Sequence, residues 1–470
     1  MPARISVSQT NSNNATAVAE LSRRFPGRVE TGEAVRRQHA GTLTWLANQP
    51  PDAVVWPLTT EDVAETITLA AAYRVPVIAF GAGTSLEGQV NAPAGGICLD
   101  LSRMDRIIAV NDRDLDCRVE AGVTRKQLNT HLRDCGLFFS VDPGSEDATL
   151  GGMAATRASG TNTVRYGTMR DNVISLVAVM ADGAIVRTGG RARKSAAGYD
   201  LTRLLIGSEG TLGIITELNV RLHPVPEAIH AAVAPFASVA GACDATIDAI
   251  QLGLSLARIE LLDAAQIRAV NRHSKLGLAE VPTLFLEFHG SNSATAADVE
   301  TFGEIAKSHG ASDFQWAADH EARQKLWRAR HDAFWAIRTA WPGKTVLVTD
   351  VCVPISRLSE CVAETEADIR RLGLTAPIVG HVGDGNFHTI PVFDPADARE
   401  VESVKTFVER LVDRAIGMDG TCSGEHGIGQ GKIGALEREM GQSVDVMRRI
   451  KRALDPLGLL NPGKIFRLPD

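Results

Sequence analysis

A chain of 470 residues lies beyond the size at which a single hydrophobic core stops growing, so about three domains or large subdomains are expected and a single small module is excluded. With 44% hydrophobic and 22% charged residues and 43 Gly, the sequence is neither disordered nor fibrous. Its 49 Lys and Arg against 56 Asp and Glu leave a net charge of −7, which speaks against a nucleic-acid backbone as the main partner.

The N-terminal stretch MPARISVSQTNSNNATAVAEL has no apolar h-region, and no run of roughly 18 apolar residues follows, so neither a secretory signal nor a spanning helix is expected. The cytoplasm is the expected address, with a peripheral membrane contact left open. The seven cysteines, Cys98, Cys117, Cys135, Cys243, Cys352, Cys361 and Cys422, are odd in number and form no C-x-x-C pair. That pattern supports no disulfide framework, zinc ribbon or haem attachment, and reduced thiols are expected.

After an N-terminal segment (1–50), TTEDVAETITLAAAYR has helical spacing with Glu61 and Asp62 in its first turn, and VPVIAFGAG reads as a buried strand ending in glycines. GICLDLS, RIIAVN and DCRVEAGV are short β-branched runs, and TRKQLNTHLRDCG returns to helical spacing. The first half is therefore read as α/β in two lobes. Pro224 and Pro226 in HPVPEA mark a boundary that closes a domain over 51–226. Residues 227–420 alternate helices (298–309, 319–339, 355–372) with strands (282–288, 345–353, 376–379), the pattern of an α+β domain. The segment 421–470 holds a glycine-rich turn, a helix ending near Leu454 and the tail DPLGLLNPGKIF, too poor in apolar surface to fold alone, so it must dock elsewhere.

Three loops of the first half concentrate glycine with hydroxyl side chains: FGAGTSLEG (80–88), DPGSEDATLGGMAATRASGTNTVRYG (142–167) and GSEGTLGIIT (207–216). One such loop alone is most simply a tight turn. Three in one domain are better explained by close approach of backbone N–H groups to an extended phosphate-bearing ligand. Neither a G-x-G-x-x-G nor a G-K-[ST] pattern occurs there.

The sharper chemical signal lies later. HVGDGNFH (381–388) sets two histidines on either side of a Gly-Asp-Gly-Asn turn, which would fold the flanking segments back and bring the imidazoles together. SGEHG (423–427) offers a carboxylate and an imidazole in a glycine-flexed loop. His381, His388 and Glu425 make a set of two imidazoles and one carboxylate suited to a catalytic divalent ion, zinc, manganese or iron, and His426 is left for acid/base work. Arg330, on a predicted helix, has two readings: a salt-bridged surface residue, or a bidentate grip on a substrate carboxylate.

FGAGTSLEGQ, PGSEDATLGGMAATRASGTNTVRYGTMRDNV and GSEGTLGIITE resemble the FAD-binding domain of the vanillyl-alcohol oxidase and p-cresol methylhydroxylase superfamily. With TDVCVPISRL, GHVGDGNFH, SGEHGIG and NPGKIF, the sequence from about Pro51 to Phe466 is similar to the FAD-linked D-2-hydroxyacid dehydrogenases of the cytochrome- or quinone-reducing D-lactate type. The resemblance implies an α+β fold: a two-lobed FAD domain of the p-cresol methylhydroxylase type, an α+β substrate and metal domain, and a C-terminal segment docking back on the flavin domain. It implies that Gly81, Ala82, Gly83, Thr84 and Ser85 hold the pyrophosphate of FAD. Pro143, Gly144, Thr149, Gly151, Gly152, Ser159 and Gly160 would line the ribityl and isoalloxazine region, Ile215 would approach the adenine, and Asn461 would contact the cofactor from the tail.

No His stands in the first loop to link the flavin covalently, so noncovalent FAD is implied. The resemblance also gives His381, His388 and Glu425 as metal ligands, His426 as base and Arg330 as the substrate's arginine. The implied reaction takes a small D-2-hydroxy acid to its 2-oxo acid and passes electrons to a cytochrome, quinone or electron-transfer flavoprotein. A homodimer is compatible with all of this. D-2-hydroxyglutarate dehydrogenase and glycolate oxidase subunit are the alternatives within the family, and a metal-dependent hydrolase is the alternative outside it. Against hydroxyglutarate, the three positions where its distal carboxylate would need polar partners hold Phe334, Val348 and Ile390.

Overall fold

The computed structural model describes residues 7–42, 44–319, 321, 323–324, 327, 330 and 333–468. They cluster into two compact units. The first holds the described residues up to Ala158 with Thr168–Pro224 and those from Glu425 onward; the second holds Ser159–Gly167 and Val225–Gly424.

Two sheets build the first unit. In the smaller, strands Ala53–Val55, Ile97–Asp100 and Val77–Phe80 run parallel, with Val29–Glu30 antiparallel on the edge. Helix Thr60–Tyr73 feeds this sheet; the Thr59 hydroxyl caps it by accepting from Asp62 N, and Arg74 ends it in a left-handed conformation. The second lobe differs from an α/β pattern: its five strands, in the order 107–111, 116–120, 214–221, 173–179, 185–187, pair only antiparallel. One apolar core of Val, Ile and Leu runs beneath both lobes. The tail returns to the first sheet: Leu459 O accepts from Val77 N at 2.9 Å, and Asn461 N donates to Val77 O at 2.8 Å. Lys451, buried, fixes the tail's path by donating to Thr211 O, Leu460 O (both 2.7 Å) and Asp455 Oδ2 (2.5 Å).

A seven-stranded sheet forms the second unit, in the order 315–317, 228–235, 283–290, 256–262, 378–380, 386–389, 351–352. In strand Thr283–Gly290 the residues Leu284, Leu286 and Phe288 point to one face, where Phe288 meets Phe302 of helix Asn292–Ser308. Phe285, Glu287 and His289 point to the other. There helices Ala264–Ser274 and Ala333–Ala340 cover an apolar patch that includes Val233, Leu262, Phe285 and Ile390, and the rest of that face is polar. Ser159–Gly167 joins this unit because its helix Thr163–Tyr166 packs on strand Leu256–Leu262.

One of these elements departs from the sequence pattern. The strand expected over 345–353 is two short ones, Thr345–Val346 and Val351–Cys352, paired with Val392–Phe393 and with Asn386–Thr389. Pro391 has no N–H to offer the ladder, and between the two strands the Thr349 hydroxyl accepts from Thr389 N at 2.8 Å instead. Of the helix expected over 319–339, Glu321, Arg323, Gln324, Trp327, Arg330 and the residues of Ala333–Ala340 are helical, and eight residues of it lie outside the described residues.

Candidate active site

In the first unit the glycine loops are packed backbone to side chain. A Cβ on Gly81 would stand 2.3 Å from Thr149 Oγ1, and one on Gly151 would stand 2.6 Å from the Ala121 methyl, so neither position admits a side chain. Thr149 in turn accepts from Gly152 N at 3.3 Å at the start of helix Leu150–Thr156. Ala82 and Thr84 are exposed, Gly83 takes φ +65°, and Gly144 faces open space. The Ser85 hydroxyl is buried without a partner among the described residues, and so is that of Ser208 in the third loop. Bare backbone and an orphaned hydroxyl are what a polyanionic dinucleotide needs, so these residues fit FAD. Pro143 is half-buried, Ile215 is buried in strand Ile214–Arg221, and Ser159 and Gly160 fall in the stretch that clusters with the second unit, Gly160 N donating to Thr163 Oγ1 at 3.0 Å. Asn461 is engaged with protein: its Nδ2 donates to Gln89 O (3.2 Å) and Glu209 O (2.6 Å), and its Oδ1 accepts from Lys464 Nζ (3.2 Å).

Two buried carboxylates within these loops, Glu87 in the first and Glu209 in the third, were given no role from the sequence. Glu209, at φ +51°, accepts from Ile428 N (2.6 Å) and Gly429 N (2.8 Å). Burial pushes its carboxyl up to about 7, against those N–H groups and the Lys464 ammonium, which hold it down. Glu87 lies 3.9 Å from His426 Nδ1 and 3.5 Å from Lys432 Nζ. His426 is set by its own backbone, whose carbonyl accepts from Gln89 Nε2 at 2.8 Å, and its Nε2 lies 3.8 Å from the Glu425 carboxylate.

In the second unit the turn between strands Ile378–Gly380 and Asn386–Thr389 brings His381 and His388 together, their ring centroids 5.5 Å apart and their planes nearly perpendicular. Gly385, at φ +76°, makes that turn possible, since a Cβ there would lie 2.0 Å from Val353 O. His388 Nδ1 lies 2.9 Å from Thr349 O; a carbonyl can only accept, so Nδ1 carries the hydrogen. His381 Nδ1 lies 2.6 Å from Glu260 Oε1. Both rings are thus held through Nδ1, the kind of hydrogen bond that orients an imidazole for a divalent ion. Asp350, beside His388, accepts from Asn386 Nδ2 (2.8 Å) and Ser423 Oγ (2.9 Å).

Arg330 Nε donates to Glu260 Oε2 at 2.6 Å, and no other hydrogen bond of its guanidinium is made among the described residues. Glu260 is fully buried and its carboxyl sits below the usual carboxylate range: burial, the largest influence, works to raise it, and His381 and Arg330 together outweigh that. The sequence carried a signal for this residue, a lone acid in the apolar strand ARIELL. Phe334 is half-buried with its ring 5.4 Å from Trp335, Val348 is half-buried, and Ile390 is buried in the apolar patch.

Residues 51–189 match the model of an FAD binding domain, and 225–465 match that of the C-terminal domain of FAD linked oxidases. A protein of Danio rerio named "Probable D-lactate dehydrogenase, mitochondrial" is 52% identical over 94% of this chain and 89% of its own length. The "D-lactate dehydrogenase (cytochrome), mitochondrial" of Arabidopsis thaliana is 45% identical over 88% of this chain and 73% of its own. Among solved structures, p-cresol methylhydroxylase with substrate bound superposes with a TM-score of 0.81 at 17% identity, covering 98% of each chain, which speaks to the fold alone.

Proposed function

This chain belongs to the FAD-linked oxidases, an FAD-dependent oxidoreductase, and we propose that it oxidises D-lactate and other D-2-hydroxy acids with short aliphatic tails to 2-oxo acids. The observation that carries the reading is the Arg330 guanidinium, fixed through Nε by a buried carboxylate and making no other hydrogen bond among the described residues, in the same network as the His381 and His388 pair. When bound, FAD supplies the two-electron acceptor, and a divalent ion supplies a Lewis acid for the C2 hydroxyl.

The protein's own residues do the rest. Arg330 pairs with the substrate carboxylate and so fixes the orientation of C2. His381 and His388, with Glu425 read from the sequence as a third ligand, hold the ion. His426 takes the hydroxyl proton, and Glu87, 3.9 Å from its Nδ1, stabilises the charge it gains. Reoxidation falls to an external cytochrome, quinone or electron-transfer flavoprotein.

No described helix is long and apolar enough to cross a membrane. The cytoplasm is the address we propose; both named relatives carry "mitochondrial" in their names.

Phe334, Val348 and Ile390 offer no partner for a second carboxylate, whose burial unpaired costs several kcal/mol, whereas an added methylene changes binding by about 1–3 kcal/mol. Steady-state assays with an artificial dye acceptor test this. D-lactate and D-2-hydroxybutyrate should give the highest kcat/KM, D-malate less and D-2-hydroxyglutarate least. A kcat/KM for D-2-hydroxyglutarate equal to that for D-lactate would show that these side chains do not set the pocket.

A further inference from the structure

We propose that Glu260 is a positioning residue that ties metal binding to substrate recognition. Its two carboxylate oxygens hold different partners, Oε1 the His381 Nδ1 and Oε2 the Arg330 Nε, each at 2.6 Å. One rigid group on strand Leu256–Leu262 therefore sets both the imidazole read as a metal ligand and the guanidinium read as the substrate's partner. The inference rests on the roles given to His381 and Arg330 above.

A fully buried carboxylate is an expensive choice for a central strand whose neighbours Ile259 and Leu261 are apolar, because its desolvation is repaid only by well-placed partners. Packing alone would be met by an apolar residue. What the carboxylate supplies is geometry: a donated hydrogen from Nδ1 fixes the tautomer and tilt of His381, and the hold on Nε stops the guanidinium rotating away from its task. The sheet repeats this construction one strand away, where Glu287 Oε1 lies 2.6 Å from His289 Nε2 and Oε2 lies 3.7 Å from Arg258. In that set neither His289 nor Arg258 belongs to the ligand or substrate residues. Glu287 therefore serves as an internal control for the mere loss of a buried acid from the same face.

Glu260→Gln keeps the shape and removes the symmetry. Both neighbours are donors, and an amide has one acceptor oxygen, so one neighbour must confront an NH₂. Two probes on the FAD-loaded enzyme read the two arms. After chelation, Co(II) is titrated and followed by its visible spectrum. Separately, 2-hydroxyisobutyrate, which has the carboxylate and hydroxyl but a methyl where the transferable hydrogen would be, is titrated and followed by the flavin absorbance. Glu260→Gln should weaken both by about ten-fold or more with FAD content unchanged, and Glu287→Gln should weaken neither.

Affinities in Glu260→Gln equal to wild type, or a loss of Co(II) affinity with the organic probe unaffected, would overturn the coupling. If Glu260→Gln does not fold, Glu260→Asp keeps the charge and shortens the reach by one methylene, so it cannot keep both contacts; wild-type affinity for both probes in that variant would likewise overturn it. A wild-type enzyme that binds neither probe would instead overturn the assignment of His381 and Arg330 on which the inference stands.

Discussion

Glu209 ties the stability of the first unit to pH. Its folded carboxyl, pushed up to about 7 by burial, holds a proton more tightly than the same group in the unfolded state, where its ordinary value is 4.5. In the window between those values the folded state binds the extra proton. The stabilisation is thus complete below the unfolded value and is lost as pH rises toward 7. The thermal midpoint of wild type, measured relative to Glu209→Gln, should therefore fall between about pH 5 and about pH 7.5; a gap independent of pH would mean that Glu209 is ionised throughout. Glu87 and Glu209 stand in the glycine loops and Glu260 in an apolar strand, so each acid is visible in the sequence, but what it holds is not: the partners lie far along the chain, such as Gly429 for Glu209 and His381 for Glu260. The histidines were legible because both ends of their turn lie in eight consecutive residues.

The hairpin of Ile378–Gly380 and Asn386–Thr389 is the element on which the second unit's chemistry depends, because its register places His388 opposite Val379 and so near His381. Gly385→Ala puts a side chain in a left-handed conformation, at about 1–2 kcal/mol, and drives its Cβ to 2.0 Å from Val353 O. The variant should lose Co(II) binding and thermal stability yet keep FAD, whose loops are elsewhere in the sequence. Wild-type metal affinity would show that the turn can relax without moving the imidazoles. Local patterns such as helix Thr60–Tyr73 and strand Val77–Phe80 were legible from spacing and caps. What was not legible is pairing: antiparallel partnership of the 107–221 strands, the split of 345–353 by Pro391, and the assignment of Ser159–Gly167 to the second unit all arise from contacts between segments distant in sequence.

For the molecule as a whole, the flavin loops and the histidine pair are built from separate segments, so cofactor and metal should be lost independently. Chelation, or His388→Ala, should lower turnover by more than about 100-fold while leaving the flavin bound and the protein folded, and only the chelated wild type should recover with a divalent ion. Full activity in a variant lacking both His381 and His388 would remove the metal from the reaction. At the centre stands the delivery of electrons from D-lactate to FAD held by this protein. The most direct measurement is the absorbance of the purified yellow holoenzyme mixed anaerobically with D-lactate. The flavin band should bleach, with pyruvate formed in proportion to flavin, and recover on adding an acceptor; a flavin left oxidised by D-lactate, or reduced by D-2-hydroxyglutarate alone, would contradict that delivery.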